Sequence, residues 1–191
     1  MIVVNVFLQG PKNIGKSTVI LETLGLLSAA APPPLSLGGF FTWNNGKADP
    51  RVYMRPAGAK GGCGAILLAR WDFEAGRLAC DIRGFEEDGV RILESSKGAD
   101  LIIMDELGFL ESSADKFKRA VFDALAGEAP VLGALRLGDV PWHRDIKRSP
   151  GVALFDVSEE NRNALPQELA RLLAKKNGAP ATGCATAHDY D

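Results

Sequence analysis

The chain has 191 residues, with 22 Lys and Arg against 24 Asp and Glu and a formal net charge of −2, so no global field draws it to nucleic acid or to an anionic membrane. Its length suits one α/β domain with a full core, and no apolar run reaches the roughly 20 residues of a membrane span. The three cysteines, Cys63, Cys80 and Cys184, are widely separated and fit neither a disulfide framework nor paired metal ligands; together with the lack of a secretory signal they predict a cytoplasmic protein.

In chain order, Ile2-Val3-Val4-Asn5-Val6-Phe7-Leu8 reads as a buried strand. It runs into Gly10-Pro11-Lys12-Asn13-Ile14-Gly15-Lys16-Ser17 and then Thr18, which satisfies G-x-x-x-x-G-K-[ST] at every fixed position. The glycines let the backbone wind so that successive N–H groups face a di- or triphosphate. Lys16 can reach the β/γ oxygens and the Ser17 hydroxyl can ligate Mg²⁺. Residues 18–27 read as a helix, apolar at Val19, Ile20, Leu24 and Leu27. Strand, glycine loop and helix N-terminus make the arrangement a phosphate needs.

Residues 29–34 form a connection, because Pro32, Pro33 and Pro34 cannot continue a helix. Four β-like pieces follow, 39–42, 51–56, 65–71 and 78–82, divided by Asn44-Asn45-Gly46 and by the glycine-dense residues 58–64; they predict an antiparallel meander. Residues 85–96 predict a helix with Phe85, Val90 and Leu93 inward, ended by Gly98. Residues 101–106, LIIMDE, predict a central strand ending in acid. Asp105 is then the candidate Mg²⁺ ligand and Glu106 the candidate to polarise an attacking water, with Glu111 a near competitor. Neighbours on a strand point to opposite faces, so both carboxylates reach one site only where the strand breaks into the next loop.

A helix over 113–125 and strands over 131–135 and 152–157 come next. The last predicted helix spans 158–176, with Ser158 as N-cap and Asn161 where Glu or Gln would complete a capping box. The tail 177–191 is Ala-, Gly- and Thr-rich without periodicity and is expected to be mobile. This alternation predicts one domain over 1–176 with a three-layer α/β P-loop fold of the RecA-like kind, a mainly parallel sheet with the antiparallel meander after the first helix.

Asp105-Glu106-Leu107-Gly108 also satisfies the D-x-x-G of GTP switches. The Asn-Lys-x-Asp that reads guanine is missing, since Asn45-Gly46-Lys47-Ala48-Asp49 is off by one residue and far too early. A base-tolerant site is the expectation. Cations on loops after later strands open on the same edge as the phosphate loop, which nominates Arg136, Arg144, Lys147, Arg148 and Arg162 for charge neutralisation. His143 lacks a partner histidine for a metal site, and Trp43, Trp71 and Trp142 fit core or rim packing better than base stacking.

Taken together these residues resemble the small P-loop nucleoside-triphosphatases typified by the human cancer-related nucleoside-triphosphatase and its archaeal and bacterial relatives. Gly39-Phe40-Phe41-Thr42 looks like that family's Gly-Phe-aromatic-Thr segment. DLIIMDELGFLE, residues 100–111, resembles its acidic-strand signature, and Val157-Ser158-Glu159-Glu160-Asn161-Arg162 its closing Val-Thr-x-Glu-Asn-Arg motif. The likeness covers roughly residues 2–173. Thr42-Trp43-Asn44-Asn45-Gly46 departs from the family's Thr-Glu-Glu-Val-Arg, and Phe109 stands where lysine is common. The resemblance implies Mg²⁺-dependent hydrolysis of ATP, GTP and other nucleoside triphosphates, with Lys16 and Glu106 catalytic, Ser17 and Asp105 on the metal, and Arg162 as the leading charge-stabilising cation. A kinase acting on a small acceptor and a slowly cycling, nucleotide-responsive accessory module are the alternatives. No protein partner is indicated.

Overall fold

Alternation in the first strand sets the layers. Phe7 points to one face of the sheet, into a core with Phe40, Met54, Phe85, Phe117 and Ile146, while Val6 and Leu8 point to the other, against Val19, Ile20, Leu165 and Leu169. A computed structural model of the chain describes residues 4–30, 34–46, 48–58 and 64–174. Residues 2 and 3 of the predicted first strand, Pro32 and Pro33, most of the glycine-dense segment with Cys63, and the predicted tail with Cys184 and His188 lie outside the described residues.

The elements are β1 (Asn5–Gly10), α1 (Lys16–Ala30), β2 (Leu37–Asn44), β3 (Arg51–Pro56), β4 (Ile66–Asp72) and β5 (Arg77–Cys80). A π-helical turn (Gly84–Gly89) then runs directly into α2 (Val90–Glu94). They continue with β6 (Leu101–Leu107), α3 (Asp115–Leu125), β7 (Val131–Arg136), α4 (His143–Arg148), β8 (Val152–Asp156) and α5 (Leu165–Ala174). One eight-stranded sheet runs β5-β4-β3-β2-β6-β7-β1-β8. From β2 to β8 neighbouring strands are parallel, and β3, β4 and β5 extend the sheet antiparallel. α1 and α5 pack together on one face; the π turn, α2 and α3 cover the other. No helix among the described residues is long and apolar enough to cross a membrane.

The predicted α/β architecture is the one observed, with local differences, the first being that the helix predicted over 85–96 is a π-helical turn followed by the short α2. β2 is longer than residues 39–42 and pairs parallel with β6, Leu37 opposite Leu101 and Phe41 opposite Asp105, so it belongs to the parallel core and only β3–β5 form the meander. Its Gly39 has φ +80° and lies so close to Ile103 that a Cβ would collide with that residue's backbone, while its N–H donates to Ser96 Oγ at 2.7 Å. Helix α4, at residues read as loop, was not foreseen. The last regular helix starts at Leu165 rather than 158. Pro166 explains this: proline is tolerated in a first turn and would break the interior of a longer helix.

Asn5 ties the parallel core together from a fully buried position. Its Nδ2 donates to the Leu125 carbonyl at 2.9 Å and its Oδ1 accepts the Val131 N–H at 3.0 Å, which pins the α3–β7 connection to β1. Asn5→Ala strands both backbone groups and is expected to destabilise the fold by about 1–3 kcal/mol or more, read as a lower denaturant midpoint. An unchanged midpoint would contradict this role.

Candidate active site

Because the strands from β2 to β8 are parallel, their carboxyl ends gather on one edge, and the phosphate loop opens there between β1 and α1. Its winding uses left-handed backbone at Gly10 (φ +154°), Asn13 (φ +64°) and Gly15 (φ +112°). Gly10 has no room for a side chain, since a Cβ would stand 2.8 Å from the Val157 carbonyl oxygen. Asparagine is among the few other residues that enter this region readily, which suits position 13. The first turn of α1 carries no acidic side chain, so nothing on the helix competes with an anion for its leading N–H groups.

Lys16 is nearly buried and curls back over the loop. Its Nζ donates to the carbonyl oxygens of Gly10 at 3.1 Å and Pro11 at 3.2 Å, and ion-pairs with Glu106 Oε2 at 3.1 Å. Ser17 Oγ donates to Asp105 Oδ1 at 3.2 Å. The predicted loop and acidic pair therefore meet, with one carboxylate on each of two consecutive loop residues. β6 makes this possible by leaving regular register with β7 between Met104 and Leu107, the break the alternation rule demanded. The Glu106 N–H donates to Thr42 Oγ1 at 3.0 Å, so β2 fixes the acidic pair from the side. A cavity of about 540 Å³ joins these groups, lined among others by Lys12, Asn13, Lys16, Ser17, Thr42, Asp105, Glu106 and Arg136. A larger cavity of about 650 Å³ lies by the amino ends of β6 and β7, at Asp100, Ile102 and Pro130, and contains none of these residues.

Burial pushes the Asp105 carboxyl up to about 6; the Ser17 hydroxyl and Lys16 pull it down, and Glu106 adds to the rise. Glu111 is buried and accepts the Gly108 N–H through Oε1, so it braces the loop after β6. Trp142 Nε1 donates to the Gly108 carbonyl at 3.2 Å from the other side. Burial lifts Glu111 from the ordinary 4.5 to about 7, and lowers His143 from 6.5 to about 4.

A raised acid pKa means that the folded chain holds this proton more tightly than the unfolded chain. Glu111 therefore subtracts stability as pH rises from 4.5 towards 7, whereas His143 adds stability as pH rises from about 4 through 6.5. Glu111→Gln keeps an acceptor for Gly108 and removes the titration. The variant should gain stability relative to the parent as pH rises over that window, in paired denaturant titrations. A pH-independent difference would contradict the buried carboxyl.

The predicted cations separate. Arg162 lies on the β8 flank of the loop, where Nη1 donates to the Ile14 carbonyl at 3.4 Å and Cδ stands 3.7 Å from where a Gly15 Cβ would be. It does not line the cavity. Arg144 pairs with Asp139 at 2.7 Å, and Lys147 and Arg148 sit on α4. Arg136 lines the cavity. Thr42 and Glu111 were both singled out in the sequence, but not these contacts: Thr42 reaches Glu106 only through the parallel pairing of β2 with β6, and Glu111 braces Gly108.

A family model described as NTPase matches residues 5–170. The nucleoside-triphosphatase THEP1 of Thermotoga maritima is 30% identical over 178 residues, covering 91% of this chain and 97% of that protein. The human cancer-related nucleoside-triphosphatase is 25% identical over 181 residues, covering 84% of this chain and 92% of that one. The crystal structure of THEP1 from Aquifex aeolicus shares the fold with a TM-score of 0.72 at 22% identity, over 89% of this chain and 99% of that chain. The solution structure of the human protein gives 0.67 at 23% identity, over 90% and 98%.

Proposed function

The chain belongs to the NTPase family and is a nucleoside-triphosphate hydrolase, and we propose that it splits the β–γ bond of ATP, GTP and other nucleoside triphosphates in a Mg²⁺-dependent reaction at the phosphate loop. One observation carries the reading. Lys16 bridges the loop carbonyls and Glu106 while Ser17 meets Asp105, and all four side chains line one cavity, which supports a reading of Lys16 as the phosphate-binding cation, Ser17 and Asp105 as the metal donors and Glu106 as the water-activating carboxylate.

The donor set fits Mg²⁺. A hydroxyl and a carboxylate oxygen 3.2 Å apart are hard ligands, and among the described residues no group of three or more His, Cys, Asp or Glu offers a closed cage. Mg²⁺ commonly takes one or two protein ligands and completes its shell with water and substrate phosphates. Ser17 and Asp105 would hold it, and when bound it neutralises charge on the β- and γ-oxygens.

The protein's own groups do the rest. A triphosphate offers Lys16 a more highly charged partner than two carbonyls, and taking it releases Glu106 from the ion pair. Glu106 then accepts a proton from a water whose oxygen bonds to the γ-phosphorus as the bond to the β-bridging oxygen breaks. The N–H groups of the loop and the first turn of α1 receive charge on the departing diphosphate. A cytoplasmic setting accords with this use of nucleotide.

Phosphoryl transfer to a small acceptor is the second reading. It is favoured by the apolar side chains that also line the cavity, Trp43, Val52, Leu78 and Leu110. Phosphate release across ATP, GTP, CTP and UTP, with water as sole acceptor and with or without a chelator, separates the two. Release with Mg²⁺ supports hydrolysis; turnover that needs an added acceptor supports the kinase.

A further inference from the structure

We propose that Arg136 completes charge neutralisation at the γ-phosphate, moving from the Phe109 ring onto the γ-oxygens of a bound triphosphate. The proposal rests on the hydrolase reading above and names a residue that reading left open. β7 lies between β1 and β6, so its carboxyl end emerges between the phosphate loop and the acidic pair. Arg136 is the last residue of β7 and stands in register with Gly10, the first residue of the loop motif. Its aliphatic stem packs on Gly108, with Cδ 3.4 Å and Cβ 3.6 Å from where a Cβ there would stand.

The guanidinium lies 4.7 Å from the centroid of the Phe109 ring, and its charge also acts on the buried Glu111 without a contact short enough to be an ion pair among the described residues. Of the five cations nominated from the sequence, the other four are occupied or outside the cavity: Arg144 on Asp139, Arg162 on the Ile14 carbonyl, Lys147 and Arg148 on α4. An exposed cation–π contact is weak beside a charge-assisted bond to phosphate, so exchanging one for the other is favourable. The planar fork of arginine also matches two phosphate oxygens at once, which a lysine cannot do. Phe109 thus acts as a rest for the side chain, keeping it extended over the cavity mouth while leaving it free to turn inward.

The test compares the parent with Arg136→Ala and Arg136→Lys. It reads kcat and KM for ATP with Mg²⁺, and the affinities for a non-hydrolysable ATP analogue and for ADP. Arg136→Ala should lower kcat on the order of 10³-fold while KM changes far less. Its preference for the triphosphate analogue over ADP should shrink, and added guanidinium ion should restore part of kcat. Arg136→Lys should fall between the two. Parental kcat in Arg136→Ala, or a change confined to KM, overturns the proposal. So does a loss of kcat that follows a lowered thermal midpoint and is not rescued by guanidinium. If the parent itself releases no phosphate, the hydrolase reading falls instead. The analogue-to-ADP ratio of the parent and Arg136→Ala then still decides whether Arg136 meets the γ-phosphate.

Discussion

Lys16→Ala is expected to abolish measurable triphosphate binding and turnover. The ammonium is held against the loop carbonyls of Gly10 and Pro11, and its removal has two consequences at the same place. The β/γ oxygens lose their direct charge-assisted donor, a change that alone commonly lowers rate by about 10²–10³-fold. Asp105 and Glu106 also lose the positive charge between them and the phosphates, so the acidic pair now repels the substrate. Calorimetric titration with an ATP analogue should show affinity reduced beyond 10²-fold, on the magnitude of buried charge pairs truncated on one side. Binding equal to the parent's would mean that the phosphates sit elsewhere.

Glu106→Gln separates binding from chemistry. Glutamine keeps the length and shape of the side chain and can still meet Lys16, but it cannot take a proton from water. General-base catalysis contributes about 10²–10⁴-fold, and kcat should fall by that amount. Affinity should be unchanged or higher, because one negative charge near the phosphates is gone and Lys16 is no longer held in an ion pair. Asp105 is assigned with Ser17 to the metal and not to the water. A variant that binds and hydrolyses like the parent would remove Glu106 from the reaction.

What could be seen before folding, and what could not, divides along physical lines. The phosphate loop was legible because its backbone needs residues that tolerate positive φ at fixed spacing, and Gly10, Asn13 and Gly15 supply them. The acidic strand was legible because four apolar residues in a row run into Asp-Glu in a chain that also carries the loop motif. Strand order was not legible in that way. β2 lies beside β6 because Phe40 packs on Phe117, 5.6 Å between centroids, and Gly39 allows the close approach to Ile103. Those contacts join residues far apart in the chain, so no local period reports them. The consequence at the site is Thr42, which holds the Glu106 N–H; its Gly-Phe-aromatic-Thr segment was visible in the sequence, but not its contact with the acidic pair. Arg136 was one of five candidate cations in sequence, and only the position of β7 between β1 and β6 distinguishes it. The late start of α5 differs from these, because Pro166 carried that information locally.

Hydrolysis of a triphosphate by this loop and this acidic pair can be assayed in one experiment. Phosphate release from ATP with Mg²⁺ and water as the sole acceptor, measured side by side for the parent and Glu106→Gln at matched nucleotide occupancy, tests it most directly. The parent should release phosphate steadily, and the variant should lose about 10²–10⁴-fold of that rate while the nucleotide stays bound. Equal release from both, or none from the parent until an acceptor is added, would contradict it.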